Sequence, residues 1–161
     1  MQSVTREQVL QWLSSVPDPE IPVLSIMDLG IVRDVRMNDE VVVALTPTYT
    51  GCPATEVIEQ SVLEAIRSHG IINVSIERVL SPPWTTDWIS DAGKEKLRNY
   101  GIAPPEHAAG KRALLHGERS VACPRCSSID TMRVSEYGST ACKASYKCTA
   151  CLEPFEYFKC I

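Results

Sequence analysis

Seven cysteines are the residues of this 161-residue chain most able to do chemistry, and they fall into two groups. Four of them form two Cys-x-x-Cys pairs, CPRC at 123–126 and CTAC at 148–151, with 21 residues between the pairs. Two intervening residues let a tight turn aim both sulfurs of a pair at one ion. The spacing therefore predicts a closed metal site with zinc as the expected ion and iron as the alternative, its ligands being Cys123, Cys126, Cys148 and Cys151.

Cys142 and Cys160 lie in the same region but outside the two pairs. One interpretation makes Cys142 a small buried residue and Cys160 a thiol of the tail. The other makes them extra ligands for a transient cluster, or a redox pair. Both interpretations stay open at the level of sequence. Ser127 and Leu152 follow the second cysteine of each pair, where many metal knuckles have glycine.

The seventh cysteine, Cys52, stands alone in TPTYTGCPATEVIEQ, where a strand-like run ends and a helix-like run begins. Pro53 suits a first helical turn, because its missing N–H would be unpaired there. Cys52 is then expected near the helix start, whose partial positive charge favours a thiolate able to bind iron or attack a disulfide. The alternative is a small cap residue in a tight corner. Asp18, in the loop PDPEIPVLSIMDLG, is a second candidate, either at the same end of the sheet or as a turn residue.

The elements that would position these residues follow from periodicity. Thr5 and Gln8 form a capping-box pattern before a helix, and the strand–helix–strand order in the middle of the chain favours a parallel pairing. The sequence predicts an α+β fold with a small mixed three-stranded sheet and helices on one face, in the order α-β-β-α-β-α. The predicted elements are a helix at 5–16, strands at 31–37, 40–45 and 71–80, and helices at 53–69 and 91–101.

A small all-β zinc ribbon is expected after this domain, with strand-like runs at 131–137, 145–148 and 154–158. A segment of this size buries little apolar surface, so a bound metal would replace a core. The predicted organisation is an α+β domain at 1–101, a linker at 102–119 and the ribbon at 120–161.

Composition narrows the function. The net charge is −4, and no part of the chain has the dense Lys/Arg surface that nucleic acid binding needs. The sequence has neither a run of 18 apolar residues nor a signal-peptide pattern, so we expect a cytoplasmic protein with no membrane partner and reduced thiols. It also lacks paired Glu-x-x-His motifs and a Gly-rich fingerprint, which argues against a di-iron site and against flavin or nucleotide binding.

Five stretches closely resemble the PaaD family, the D subunits of the phenylacetyl-CoA epoxidase (ring 1,2-epoxidase) systems of bacterial phenylacetate degradation. They are DPEIPVLSIMDLGIV (18–32), LTPTYTGCPA (45–54), PPWTTDWIS (82–90), YGSTACKASYKC (137–148) and CLEPFEYFKC (151–160). Residues 1–101 also resemble the wider iron–sulfur assembly domain family that includes SufT-like proteins.

The resemblance implies an accessory, non-catalytic subunit that assists iron or iron–sulfur centre maturation. Asp18 and Cys52 match the acidic and cysteine motifs of the wider family. The implied partners are other subunits of the epoxidase complex, especially the di-iron oxygenase subunit or the reductase with its 2Fe–2S centre. Two alternatives remain. One is a structural zinc-ribbon subunit that stabilises the oxygenase assembly, and the other is a thiol redox protein using Cys52 with Cys142 or Cys160.

Overall fold

A computed structural model of the protein describes residues 4–49, 51–105 and 121–159. The chain falls into two compact units, Met1–Ser90 and Asp91–Ile161. Within the described ranges, every helix is too short or too polar to cross a lipid bilayer.

The first unit has the predicted α-β-β-α-β order. Thr5 caps α1, since its hydroxyl accepts the Gln8 N–H while the Gln8 side chain accepts the Thr5 N–H, as the capping-box pattern predicts. The elements are α1 (Arg6–Leu13), β1 (Val32–Met37), β2 (Val41–Leu45), α2 (Ala54–Arg67), β3 (Val74–Arg78) and a one-turn 3-10 helix (Thr86–Trp88).

Strand β2 is the central strand of a three-stranded sheet with the order β1-β2-β3. It pairs antiparallel with β1 across a tight hairpin and parallel with β3, because α2 carries the chain back between them. Helix α1 contacts both α2 and β1, and α2 contacts β3, so the two helices cover the same face of the sheet. The predicted mixed sheet with helices on one face is confirmed.

The long loop between α1 and β1 is fixed by the segment that follows β3. The indole N–H of Trp84 donates to the Leu29 carbonyl oxygen at 2.7 Å, and the Ser90 N–H donates to the Asp28 carbonyl oxygen at 2.9 Å. Gly30 adopts φ +69, and a Cβ built there would lie 2.6 Å from the carbonyl oxygen of Trp88. The loop can therefore approach this segment closely where residue 30 has no side chain.

The second unit contains α3 (Asp91–Tyr100), β4 (Ile102–Ala103), β5 (Thr131–Ser135), β6 (Lys143–Cys148) and β7 (Pro154–Phe158). Its sheet has the order β4-β7-β6-β5, with β4 parallel to β7 and the other pairs antiparallel. The three predicted ribbon strands are present. Strand β4 lies at the start of the predicted linker, whose remaining residues are mostly outside the described ranges, so the three domain boundaries stay a prediction.

Aromatic residues and one ion pair support this second sheet. The Tyr146 ring stacks on Phe155 and meets Tyr157 edge-on, with centroids 5.8 and 5.7 Å away. Lys143 is buried, and its Nζ lies 3.1 Å from Oε2 of Glu156. Glu156 also accepts hydrogen bonds from the backbone N–H and the hydroxyl of Ser139. The pair thus joins neighbouring strands β6 and β7.

Candidate functional site

Four cysteine sulfurs of the second unit converge between its two Cys-x-x-Cys turns, or knuckles, at 123–126 and 148–151. The Sγ atoms of Cys123, Cys126, Cys148 and Cys151 all lie within 4.8 Å of one another. Cys123 Sγ lies 3.8 Å from Cys151 Sγ, and Cys126 Sγ lies 3.6 Å from Cys148 Sγ. Four sulfurs placed about 2.3 Å from a central zinc would be about 3.8 Å apart along each tetrahedral edge. The sulfur set therefore fits one tetrahedral ion.

The backbone after each cysteine pair takes a left-handed turn. Ser127 has φ 62 and Leu152 has φ 66, a conformation that side chains with a Cβ rarely adopt. The turn lets the Cys123 N–H donate to Ser128 and the Cys148 N–H donate to the carbonyl oxygen of Glu153. The knuckle conformation usual for glycine is therefore kept although neither residue is glycine.

The sulfurs have opposing tendencies to lose their protons. A hydrogen bond from the Cys151 N–H lowers the pKa of the Cys148 thiol to about 7. A backbone hydrogen bond from Glu153 acts to lower the pKa of Cys151, but burial and the neighbouring sulfurs outweigh it and raise that pKa to about 12. Four thiolates at this separation need a cation among them, which is the chemistry of a metal site.

Of the two leftover cysteines, Cys142 is among the described residues, and it lies outside this group. Cys142 is buried, and its sulfur lies 3.0 Å from the Thr140 hydroxyl oxygen, outside the four-sulfur cluster. This position favours the first interpretation of Cys142, as a small buried residue, over that of an extra ligand. Cys160 lies outside the described residues.

Cys52 lies one residue before the N-cap of α2, which is Pro53, and follows the carboxyl end of the central strand β2. Its N–H donates to Tyr49 and its carbonyl oxygen accepts from Thr55, so the turn itself is held by backbone hydrogen bonds. The residue is 9% exposed. Gly51, with φ +82, provides the left-handed step that brings the chain into this turn.

Cys52 lines two neighbouring hollows, and we call the narrow one the enclosed chamber and the wide one the open chamber. The enclosed chamber, with room for about one water, is lined by Asp18, Glu20, Ile31, Leu45, Pro47, Thr48, Cys52, Thr55, Ile58, Glu59 and Arg78. The open chamber faces solvent and is lined by Pro47, Gly51, Cys52, Pro53, Thr55, Glu56, Arg78 and Leu80. Cys52 therefore combines low exposure with access to a hollow.

Asp18 and Cys52 both line the enclosed chamber, although the two residues lie far apart in the sequence. Its Oδ2 accepts the N–H groups of Glu20 and Ile21 at 3.0 and 2.7 Å, which fixes the turn that also brings Glu20 to the chamber. Asp28 is not among the chamber residues, and instead accepts hydrogen bonds from Ser25 as a turn residue.

Among the threonines before Cys52, Thr48 lines the enclosed chamber. The hydroxyl of Thr46 is buried and has no hydrogen-bond partner among the described residues. Thr50 lies outside the described residues.

Glu59 and Arg78 are chamber residues that sequence reasoning missed. Glu59 on α2 accepts from Arg78, at the end of β3, through two bonds of 2.5 Å (Nε to Oε1) and 2.9 Å (Nη2 to Oε2). No local sequence pattern predicts this ion pair, because the pairing depends on how the end of β3 lies beside α2.

The fold and the two sulfur sites define a class of protein: an iron–sulfur assembly domain followed by a cysteine ribbon. Residues 6–76 match the family model described as "Iron-sulfur cluster assembly protein", and residues 107–159 match the "PaaD zinc beta ribbon domain". An Escherichia coli K12 protein, named as the D subunit of a "Putative 1,2-phenylacetyl-CoA epoxidase", is 52% identical over 150 residues, covering 92% of this chain and 89% of that protein. The chain belongs to the PaaD family, as its motifs predict.

The first unit also has shorter relatives. YitW of Bacillus subtilis, named as an "Fe-S protein maturation auxiliary factor", is 33% identical over 100 residues, covering 60% of this chain and 97% of that protein. A solved structure of a conserved hypothetical protein from Thermotoga maritima is 36% identical, with a TM-score of 0.52, over 60% of this chain and 97% of that one. A domain of unknown function from Bacillus anthracis has a TM-score of 0.53 at 27% identity, over 56% of this chain and 89% of that one.

Proposed function

We propose that this protein is an accessory subunit of a cytoplasmic phenylacetyl-CoA epoxidase system that assists maturation of an iron or iron–sulfur centre. The clients would be the di-iron oxygenase subunit or the reductase with its 2Fe–2S centre. The name of the E. coli relative and those of the auxiliary factors support an accessory role. The observation that carries the proposal is the position of Cys52, at a helix start on the walls of two chambers, the narrower of which Asp18 also lines.

In this proposal Cys52 contacts the iron-containing cargo or the client, because a thiolate is the ligand that iron–sulfur clusters use. The start of α2 lies next to Cys52, and the partial positive charge of a helix start favours a negatively charged cargo there. Asp18 acts as a positioning residue, since its two backbone hydrogen bonds fix the loop that forms one wall of the enclosed chamber.

The ribbon would hold one zinc ion through Cys123, Cys126, Cys148 and Cys151, and its role would be to stabilise a surface for docking to a partner. Four thiolates close the coordination sphere and leave no position for a substrate. Metal analysis of protein purified without oxygen tests this assignment. We expect one zinc per chain and no visible absorption bands, whereas extra iron with sulfide would place a cluster on this chain and two visible thiolate–iron bands would favour iron in the ribbon.

The decisive experiment replaces Cys52 by serine and measures the iron content of the co-expressed oxygenase and reductase. Cys142→Ser is the matched control, because Cys142 is also buried but belongs to the other unit. The maturation role predicts depleted iron with Cys52→Ser and normal iron with Cys142→Ser. Full metal loading of both clients in the Cys52→Ser strain would remove the proposed role.

A second candidate function is a purely structural subunit of the oxygenase assembly. The low exposure of Cys52 and the backbone hydrogen bonds of its turn favour it, because both suit a cap residue. It predicts a stable, stoichiometric complex with the oxygenase that Cys52→Ser leaves unchanged in amount and in iron content. A thiol redox role with Cys142 or Cys160 stays a prediction of the sequence.

A further inference from the structure

The charges around Cys52 are unevenly divided between its two chambers. The enclosed chamber has three carboxylate side chains on its walls, those of Asp18, Glu20 and Glu59. The open chamber has one, that of Glu56. Among the described residues that line either chamber, Arg78 is the sole cation, and it lines both. An anion therefore meets fewer carboxylates on the open side, where Arg78 is the cation on the wall.

The position of Arg78 is fixed by Glu59. Nε and Nη2 of Arg78 donate to the two carboxylate oxygens of Glu59, a bidentate geometry that favours one orientation of the guanidinium group. Arginine has five N–H donors, and among the described residues the Nη1 amino group has no hydrogen-bond partner, so it can donate to a ligand. The hydrogen bonds and charge of Glu59 raise the pKa of Arg78, so the group is positively charged throughout the physiological range.

We propose that Arg78 determines which ligand charge is accepted at Cys52, favouring an anionic sulfur ligand of the thiolate-bound iron–sulfur cluster class that approaches through the open chamber. Clusters held by thiolates have a net negative charge, which a fixed guanidinium group attracts. Glu59 orients Arg78 and offsets part of its charge. This inference rests on the proposed maturation function, because it names the class of cargo that Cys52 would contact.

The test compares two alkylating reagents of similar size and different charge on the zinc-loaded full chain. Iodoacetate is an anion and iodoacetamide is neutral, and peptide mapping counts the modification of Cys52 separately from the other cysteines. The ratio of the two rates reports the charge next to the sulfur. The rate with the neutral reagent corrects for changes in exposure or folding.

Arg78→Gln is expected to lower the iodoacetate-to-iodoacetamide ratio about 3- to 10-fold, the range for losing one nearby, partly screened charge. Glu59→Gln is expected to raise the ratio, because it removes a carboxylate that offsets Arg78. Arg78→Lys loses the bidentate bond to Glu59 but keeps the positive charge, and because the ratio reports charge it should stay within about twofold of the wild type. Arg36→Gln is the matched control, because Arg36 pairs with Glu77 on the same sheet but lines neither chamber.

An unchanged ratio in Arg78→Gln, or an equal fall in Arg36→Gln, would overturn the inference. The iron content of the clients distinguishes this failure from failure of the proposed function. If Cys52→Ser depletes the clients of iron but Arg78→Gln leaves the reagent ratio unchanged, the maturation role is supported and the role of Arg78 is wrong. If the clients keep their full iron content with Cys52→Ser but the reagent ratio falls with Arg78→Gln, Arg78 selects ligand charge at Cys52 and the maturation role is wrong.

Discussion

The buried ion pair of the ribbon gives the sharpest stability prediction, tested by Glu156→Gln. The Lys143 side chain is 5% exposed and that of Glu156 is 28% exposed, with Nζ and Oε2 separated by 3.1 Å. Glutamine keeps the size of the side chain and an oxygen that can accept the Ser139 N–H. The substitution therefore removes the negative charge beside a buried lysine and turns Oε2 into an amino group, to which the Ser139 hydroxyl can still bond by accepting.

The magnitude follows from the distance and the burial. At an effective dielectric constant of about 20, two unit charges 3.1 Å apart attract by about 5 kcal/mol. Desolvation cancels much of that attraction, and removing one member of a buried pair costs about 3–5 kcal/mol. The partial exposure of Glu156 and the retained hydrogen bond to Ser139 reduce the loss. We expect Glu156→Gln to lower the free energy of opening of the ribbon by about 2–3 kcal/mol.

Hydrogen exchange of backbone amides in β6 and β7 of the zinc-loaded full chain measures this local free energy. Glu136→Gln is the control, because Glu136 pairs with Arg133 in the same unit but both side chains are more than half exposed. It should cost at most about 0.5 kcal/mol. The double substitution Lys143→Met with Glu156→Gln should recover most of the loss, since no charge is then left buried. A loss below about 0.5 kcal/mol for Glu156→Gln alone, or no recovery in the double variant, would refute the reasoning.

The same pair predicts a pH dependence. Burial acts to raise the pKa of Glu156, but the hydrogen bonds from Ser139 and the charge of Lys143 outweigh it, so the pKa lies below its ordinary value. A carboxyl group with a lowered folded-state pKa contributes its stabilisation above the unfolded-state value of about 4.3, and loses it as the pH falls through the folded-state value. The cost of Glu156→Gln should therefore be constant between about pH 8 and about pH 5.5. A cost that disappears within that range would contradict the assignment.

Two backbone predictions concern residues with positive φ. Gly30→Ala should cost the first unit about 3 kcal/mol or more in denaturant unfolding, because strain at φ +69 adds to a contact of 2.6 Å with a backbone oxygen. Gly70→Ala, at φ +87 with open space around it, should cost only about 1–2 kcal/mol, and equal losses would show that the close contact is unimportant. Leu152→Gly should stabilise the ribbon by up to about 1 kcal/mol in hydrogen exchange, because φ 66 strains leucine and its side chain is 66% exposed, with little packing to lose. Leu152→Ala keeps the strain, so a gain as large with alanine would refute that explanation.

Local patterns predicted the parts of the fold that depend on neighbours in the sequence. The capping box at Thr5, the hairpin of β1 and β2 and the strand–helix–strand order each involve short stretches, and each is present. Each Cys-x-x-Cys turn is also local, and the convergence of the two turns on one site was predictable because two such pairs at this spacing are typical ligands of a single metal ion.

Features that join distant residues could not be predicted this way. The pairing of β4 with β7 joins residues far apart in the sequence, and two residues are too few for a periodic pattern. The contact of Glu59 with Arg78 depends on the register of β3. Lys143 has no sequence signal for burial, because its ion-pair partner Glu156 lies on a different strand, β7.

The order β1-β2-β3 has a consequence for how such a protein diversifies. The segment from Thr46 to Pro53 leaves the middle of the sheet and enters the crossover helix, and it contributes Pro47, Thr48, Gly51 and Cys52 to the walls of the two chambers. Substitutions in this one loop reshape the surroundings of the sulfur while every strand keeps its neighbours. Evolution can therefore change which ligand the Cys52 thiol binds while the sheet keeps its strand order. A laboratory library of substitutions confined to this loop would test new ligand specificities on the same fold.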